Sequence, residues 1–379
     1  MNPGTRRLRR GGYRRMPGVN SRSNMSAQPA FGFSVQLLER GAAGYAGYAA
    51  AAMLEKHPEV REQFGADALA GWKIHLTQRL LELAAALTTD EPQIFVARAL
   101  WTARAFRARE HDEALVRLSL ESLRQVLAEH MPEPARTAPL DYLDRALMAL
   151  AEPPAVEDAL ALNPEKPADR LALRYLQKIL EGNISDAVAE VVNAVRDGLD
   201  VRSAYIDVLL PAQREIGRLW HLCEVSVAEE HMVTFTTQRT MGILVHAARP
   251  APSNGKTAII AAVVTNTHDI GPRALADLYE IAGWRSIFLG ADVPMEDLPG
   301  MINYFQADLL LLGATLSTQL PRVQQTIAAA RASSEGSVKI IVGGAAFDEA
   351  SELWKKVGAD GYAARVDEAV SLGTRLTGN

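Results

Sequence analysis

The spacing of apolar residues changes character twice along the chain. In Ile74–Leu87, Leu76, Leu80, Leu83 and Leu87 recur in alternating steps of four and three, which puts them on one stripe of a helix. Ala97–Arg109 and Glu113–Met131 also read as helices, and Pro132 and Pro134 end the second of them. Residues 31–155 are therefore expected to form an all-helical domain. A patternless, proline-rich stretch from Glu152-Pro153-Pro154 to Asn163-Pro164 and Pro167 marks a boundary. Helical spacing resumes in Arg170–Leu180, Ile184–Asp197, Val201–Trp220 and Val227–His246, with Gly182-Asn183 and Gly198 as stops. Four helices of this length predict a small bundle over residues 165–250.

From Gly255 onward the pattern becomes that of strands. Lys256–Val264 is one unbroken apolar, β-branched run, as in a strand buried on both faces. Trp284–Leu289, Leu309–Leu312, Lys339–Val342 and Gly361–Ala363 read as further short strands. Helical segments separate them: Pro272–Ala282, Met295–Gln306, Leu320–Ala332, Glu349–Val357 and Val366–Leu376. The expected class is α/β: over residues 255–379, a flavodoxin- or Rossmann-like, doubly wound, parallel five-stranded sheet. A four-helix bundle and an additional N-terminal all-α domain precede it. Sheets of this kind take ligands at the carboxyl ends of their strands.

Composition narrows the class. Apolar residues make up 48% and charged residues 22% of the 379, a globular balance. No apolar run approaches the roughly 20 residues that span a bilayer: the alanine-rich Gly41–Leu54 is too short and is interrupted by Gly44, Tyr45 and Gly47. The single cysteine, Cys223, rules out an intramolecular disulfide and a CxxC zinc site. No secretory signal is visible, so a cytoplasmic location is the default expectation. The net charge of −5 is uneven, because residues 1–30 hold seven arginines and no acid. The remainder sits near −12, which argues against nucleic-acid binding by the folded part. The Arg-rich leader is the one segment suited to DNA or an anionic surface. It reads as disordered, or as sequence ahead of a true start at Met16 or Met25.

The candidate chemistry lies at the strand ends. The loop after the first strand, Thr265-Asn266-Thr267-His268-Asp269-Ile270-Gly271, has neither a GxGxxG nor a P-loop pattern. It offers an imidazole, a good transition-metal ligand, and Gly271 lets the chain turn tightly into the next helix. Alone, a histidine here is more often a capping or surface residue. After the third strand comes Gly313-Ala314-Thr315-Leu316-Ser317-Thr318, and after the fourth Gly343-Gly344-Ala345-Ala346. Small residues at two neighbouring strand ends leave room for a bulky or nucleotide-like group beside backbone.

With these residues in hand, residues 255–379 resemble the cobalamin-binding domain of methionine synthase and related mutases. That family carries Asp-x-His-x-x-Gly after the first strand, Ser-x-Leu or Ser-x-Thr after the third, and Gly-Gly after the fourth. Here the matching residues are Asn266 to Gly271, Thr315-Leu316-Ser317 and Gly343-Gly344. The resemblance implies cobalamin as cofactor and His268 as the lower axial ligand of cobalt, with Asp269 beside it. It also implies that Thr315, Ser317, Gly343 and Gly344 line a slot for the displaced nucleotide base. Two departures stand out. The family's carboxylate is Asn266, which orients the imidazole without adding charge, so a weaker bond to cobalt is expected. The family's serine is Thr315, which keeps the hydroxyl.

The bundle carries a second signature, Gly217-Arg218-Leu219-Trp220-His221 through Glu229-Glu230-His231. It resembles the helical cap over the upper face of cobalamin in the same family. A Trp, nine residues, then Glu-His is similar to the adenosylcobalamin-dependent light-sensing repressors of the CarH type. That resemblance implies that Trp220, Glu230 and His231 surround the upper ligand, and that His221 takes the upper cobalt position once light has removed it. Adenosylcobalamin is then the expected form, with methylcobalamin or hydroxocobalamin as alternatives.

The N-terminal helices do not resemble the winged DNA-binding domain of those repressors. His75 and the segment Trp101-Thr102-Ala103-Arg104-Ala105-Phe106 are their most ligand-like features, and core packing explains both more simply. The functional expectation is a cobalamin-binding sensor, a photoreceptor or regulator that signals through a protein partner or a homo-oligomer. The alternatives are a corrinoid shuttle of a methyltransferase system and a light-independent cobalamin-binding antirepressor. No segment has the length or β/α alternation of a substrate barrel, so an enzyme in its own right is not expected.

Overall fold

The computed structural model describes residues 31–152, 162–334, 336–350 and 352–378. The Arg-rich leader and most of the proline-rich boundary lie outside the described residues. Six helices come first: α1 (Gly32–Lys56), α2 (Pro58–Phe64), α3 (Ala68–Thr89), α4 (Pro92–Ala108), α5 (Ala114–His130) and α6 (Thr137–Ala149). Helix α3 carries the leucine stripe read from the sequence: Leu76, Leu80, Leu83 and Leu87 are all buried. It packs against α1 and α4. Helix α1 packs against α3 and α5 and buries the small residues Ala42, Ala46, Ala49 and Ala50.

The bundle consists of α7 (Pro167–Leu180), α8 (Ile184–Arg196), a long third helix and α11 (Val227–Ala247). The third helix comprises α9 (Val201–Ser203), a π-helical turn at Ala204–Leu209, and α10 (Leu210–His221). Pro211 lies in the first turn of α10, where a missing amide proton breaks the regular ladder, and the wider π turn upstream accommodates the mismatch. Helix α11 starts at a capping box, in which Ser226 and Glu229 satisfy each other's backbone amides. Tyr175, Ile179, Val191, Tyr205, Val208 and Leu244 are among the bundle's core residues.

The remaining elements alternate: β1 (Thr257–Val263), α12 (Ile270–Ile281), β2 (Arg285–Val293), α13 (Leu298–Phe305), β3 (Leu309–Gly313), α14 (Leu320–Ser333), β4 (Lys339–Gly343), α15 (Leu353–Lys356), β5 (Gly361–Tyr362) and α16 (Val366–Thr377). The sheet is parallel, with strand order β2-β1-β3-β4-β5. The chain therefore switches direction between β1 and β3, and a doubly wound sheet binds its ligand at that switch point. Strand residues alternate faces. Ile259, Ala261, Leu310, Leu312 and Val342 face α13 and α14, whereas Ala258, Ile260, Leu309, Leu311 and Ile341 face α12 and α16.

The two cores on the α13–α14 side are not separate. The apolar cluster of α1–α6 runs on into that face of the sheet. Helix α3 packs against the turn Ser317–Gln319 and α14, and Lys356 pairs with Glu91 at 2.8 Å. Two elements depart from expectation. The expected helix Glu349–Val357 shrinks to α15, and β2 continues to Val293, with two shifts in its register that set Ala261 opposite Gly290 and Val263 opposite Val293. Among the described residues, no helix is long and apolar enough to cross a membrane.

Candidate cobalamin site

The switch point brings the β1 and β3 loops together through two buried amides. Asn266 is 1% exposed. Its Nδ2 donates to the Gly313 carbonyl at the end of β3 (3.0 Å), which fixes Oδ1 as the acceptor. Oδ1 receives the His268 amide and faces His268 Nδ1, each at 3.2 Å. In a neutral ring Nδ1 must then carry the proton, and the lone pair sits on Nε2, the tautomer a metal requires. His268 itself is exposed.

Gln319, also 1% exposed, is the second bracket, and sequence reading passed over it. Its Oε1 accepts from the amides of Thr315 (2.8 Å) and Leu316 (3.0 Å), and its Nε2 donates to the Thr265 carbonyl at 3.0 Å. The signal was present, a glutamine in the first turn after a small-residue loop, but only the fold shows which carbonyl it reaches. Thr265 has φ of 68°, and its amide is held by Asp292 at 2.6 Å.

Ser317 is buried at the start of the turn after β3, and Gly344 lies exposed after β4. The glycines do more than leave room. At Gly344, φ is 99° and a Cβ would lie 2.3 Å from the Ala314 carbonyl oxygen; at Gly343 it would lie 2.9 Å from that of Ala363. The β4 loop therefore crosses the β3 loop so closely that no side chain fits at Gly344.

The cap reaches this rim through α11, where Gln238 donates to Asp269 at 2.7 Å. Deeper in the same contact, the Tyr205 hydroxyl lies 2.8 Å from both Asp277 and the Met241 carbonyl. Burial pushes the Asp277 carboxyl up to about 6.

Of the cap residues, Trp220 is 36% exposed, so its indole keeps a large apolar surface open. Glu230 and His231 bond each other at 2.7 Å, and Glu230 also accepts from Thr234. His221 is positioned differently. Its ring stacks on Trp101 of α4, with centroids 4.3 Å apart and an interplanar angle of 24°. Both ring nitrogens are buried without a hydrogen-bond partner. Burial, together with Arg104, Arg109 and Arg98, holds its pKa below the usual histidine value, so the ring is stored neutral.

His75, by contrast, is packed among Trp72 and Phe106 within the N-terminal helices, and burial drives its pKa down to about 3. That residue is a packing histidine.

Among the described residues no three His, Cys, Asp or Glu side chains gather as a chelating set. His268, exposed and with Nε2 free of the proton in this tautomer, could serve a metal group that takes a single imidazole from the protein.

Comparison with known proteins decides the family. Residues 171–245 and 256–371 each match a family model described as a B12 binding domain. Dimethylamine corrinoid protein 3 of Methanosarcina acetivorans is 30% identical over 215 residues, covering 55% of this chain and 94% of that protein. The chain belongs to the B12-binding domain family. Cobalamin is thus its cofactor, and the helical cap and Rossmann-like unit are its cobalamin module. HTH-type transcriptional repressor CarA of Myxococcus xanthus is 27% identical over 211 residues, covering 55% of this chain and 69% of that protein. The solved monomethylamine corrinoid protein of Methanosarcina barkeri superposes with a TM-score of 0.50 at 18% identity, over 55% of this chain and 98% of that one. That likeness is one of fold.

Proposed function

We propose that this member of the B12-binding domain family is an adenosylcobalamin-dependent sensor of light that signals through protein contacts. The observation that carries the reading is the stack of His221 on Trp101. It ties the cap's Trp-His pair to helices that lie outside both matched regions. The dimethylamine corrinoid protein is spanned almost whole by 55% of this chain, so α1–α6 are an addition to the carrier architecture. A carrier cap must swing clear for a large partner, whereas a cap clamped to an added domain suits a protein whose cap position is its output. CarA, named as a transcriptional repressor, supports gene regulation as that output, exerted here through a protein partner or self-association.

In this reading His268 would hold the cobalt, and Thr315, Ser317, Gly343 and Gly344 would line the slot for the nucleotide tail. Trp220, Glu230 and His231 would enclose the cobalt's other face. The cofactor supplies a cobalt–carbon bond that visible light can break. The protein's own residues do the rest: Asn266 fixes the His268 tautomer, Trp220 keeps water from the upper face, and His221 stands ready as a neutral imidazole. The second reading, a corrinoid methyl carrier, is favoured by the nearly full-length match to the dimethylamine protein. Small-angle scattering of the reconstituted protein in the dark and after illumination separates the two. A sensor changes its radius of gyration and keeps the change; identical curves would favour the carrier.

A further inference from the structure

We propose that Trp101 of α4 is a positioning residue for the cobalamin site: it holds His221 against the N-terminal helices and so sets how readily that imidazole reaches the cofactor's upper face. The inference rests on the reading of the cap given above and adds a residue from outside the cobalamin module.

Three observations carry it. The stack crosses from the cap to α4, joining residues 120 apart in the sequence at a centroid distance of 4.3 Å. Both His221 nitrogens are buried and unpartnered. A settled interior histidine bonds at least one neighbour, whereas this ring has given up water at both nitrogens with no hydrogen bond in return. Stacking shifts an equilibrium only a few-fold, less than the two forfeited hydrogen bonds cost. The stored position is therefore weakly held, and a ligand for either nitrogen would draw the ring away.

The third observation is what Trp101 touches besides His221. The Arg98 guanidinium lies 4.3 Å from the same indole centroid. It also lies 3.7 Å from Glu82 on α3, and one Glu82 carboxylate oxygen is itself buried without a partner. Departure of His221 thus uncovers an indole that Arg98 leans on, next to an ionic cluster with unused capacity. That gives the N-terminal helices a physical reason to respond. His75 shows the contrast: it too has an unpartnered nitrogen, but aromatic rings of its own domain wedge it in place.

The test uses the full chain, mixed without cofactor and in the dark with aquacobalamin, while the absorption spectrum is followed in time. Its signal is the part of the spectral change that His221→Ala abolishes. Trp101→Ala should increase the rate or extent of that part about two- to tenfold. Trp101→Leu, which keeps bulk without a ring, should behave likewise and replaces the alanine variant if that one does not fold. Trp101→Phe should restore most of the wild-type behaviour, which a loss of general packing would not explain. If His221→Ala changes the spectrum but Trp101→Ala and Trp101→Leu follow wild type, the positioning role is wrong and the cap reading stands. If His221→Ala changes nothing, the cap reading and the positioning role both fall.

Discussion

Asn266 stands where the family carries an aspartate, and its side chain meets the Gly313 carbonyl, the His268 amide and the His268 ring. The sequence alone shows the lost charge. The geometry adds a reason for the amide: a carboxylate cannot donate, so Asn266→Asp would set a carboxylate oxygen 3.0 Å from a carbonyl oxygen. That substitution should make His268 a more basic ligand but lower the stability of the cofactor-free protein by about 1–3 kcal/mol, read as a lower urea midpoint. Asn266→Ala should weaken cobalamin binding by about 10- to 100-fold, the usual effect of losing a ligand's orienting partner. Asn266→Asp of wild-type stability would refute this account of the rim. At this scale the pairing of Asn266 with His268 was legible because both residues lie in one loop. Gln319 was not, because its partner Thr265 is 54 residues away.

The β4–α15 segment shows how an element can be misread and still matter. Glu349–Val357 has helical composition, but a turn at Ala345–Phe347 comes first and the helix is delayed to Leu353. Glu349 is left in the connecting loop, within the electrostatic reach of Arg98 and Glu82. Burial pushes its carboxyl up to about 7, against the pull of Arg98. A carboxyl whose folded pKa is raised binds its proton more tightly in the fold. Its contribution to stability is therefore complete below pH 4.5 and is lost as pH rises to about 7. Asp277, pushed up to about 6 at the cap contact, acts in the same direction. Glu349→Gln should raise stability by about 1–2 kcal/mol at pH 8 and leave it unchanged at pH 4, as measured by urea unfolding at both. An equal effect at the two pH values would show that the carboxyl is not the cause. Strands β1, β3 and β4, in contrast, were legible almost residue by residue, because their burial leaves an unbroken apolar run; β2, which is only half-buried, was read four residues short. Helix α1 falls within the segment expected to be all-helical, although its own bounds were not read from the sequence. Its small buried residues allow it to pack closely between α3 and α5.

Across the whole molecule, the sequence separated three blocks but could not show how they meet. Stripe and strand patterns report which face is apolar, not which apolar face it covers. The N-terminal core continues into the sheet's α13–α14 face, and α4 touches the cap at His221. The cofactor module is thus flanked by a domain in contact with both of its halves. A two-state cap needs such a neighbour to turn a local ligand change into a larger one. The decisive measurement is the absorption spectrum of the full chain reconstituted with adenosylcobalamin in the dark and then illuminated, for wild type and His221→Ala side by side. The account predicts that wild type ends in a stable spectrum of cobalamin with nitrogen ligands on both faces, and that His221→Ala ends in that of a water-ligated one. The same final spectrum for both proteins would contradict it.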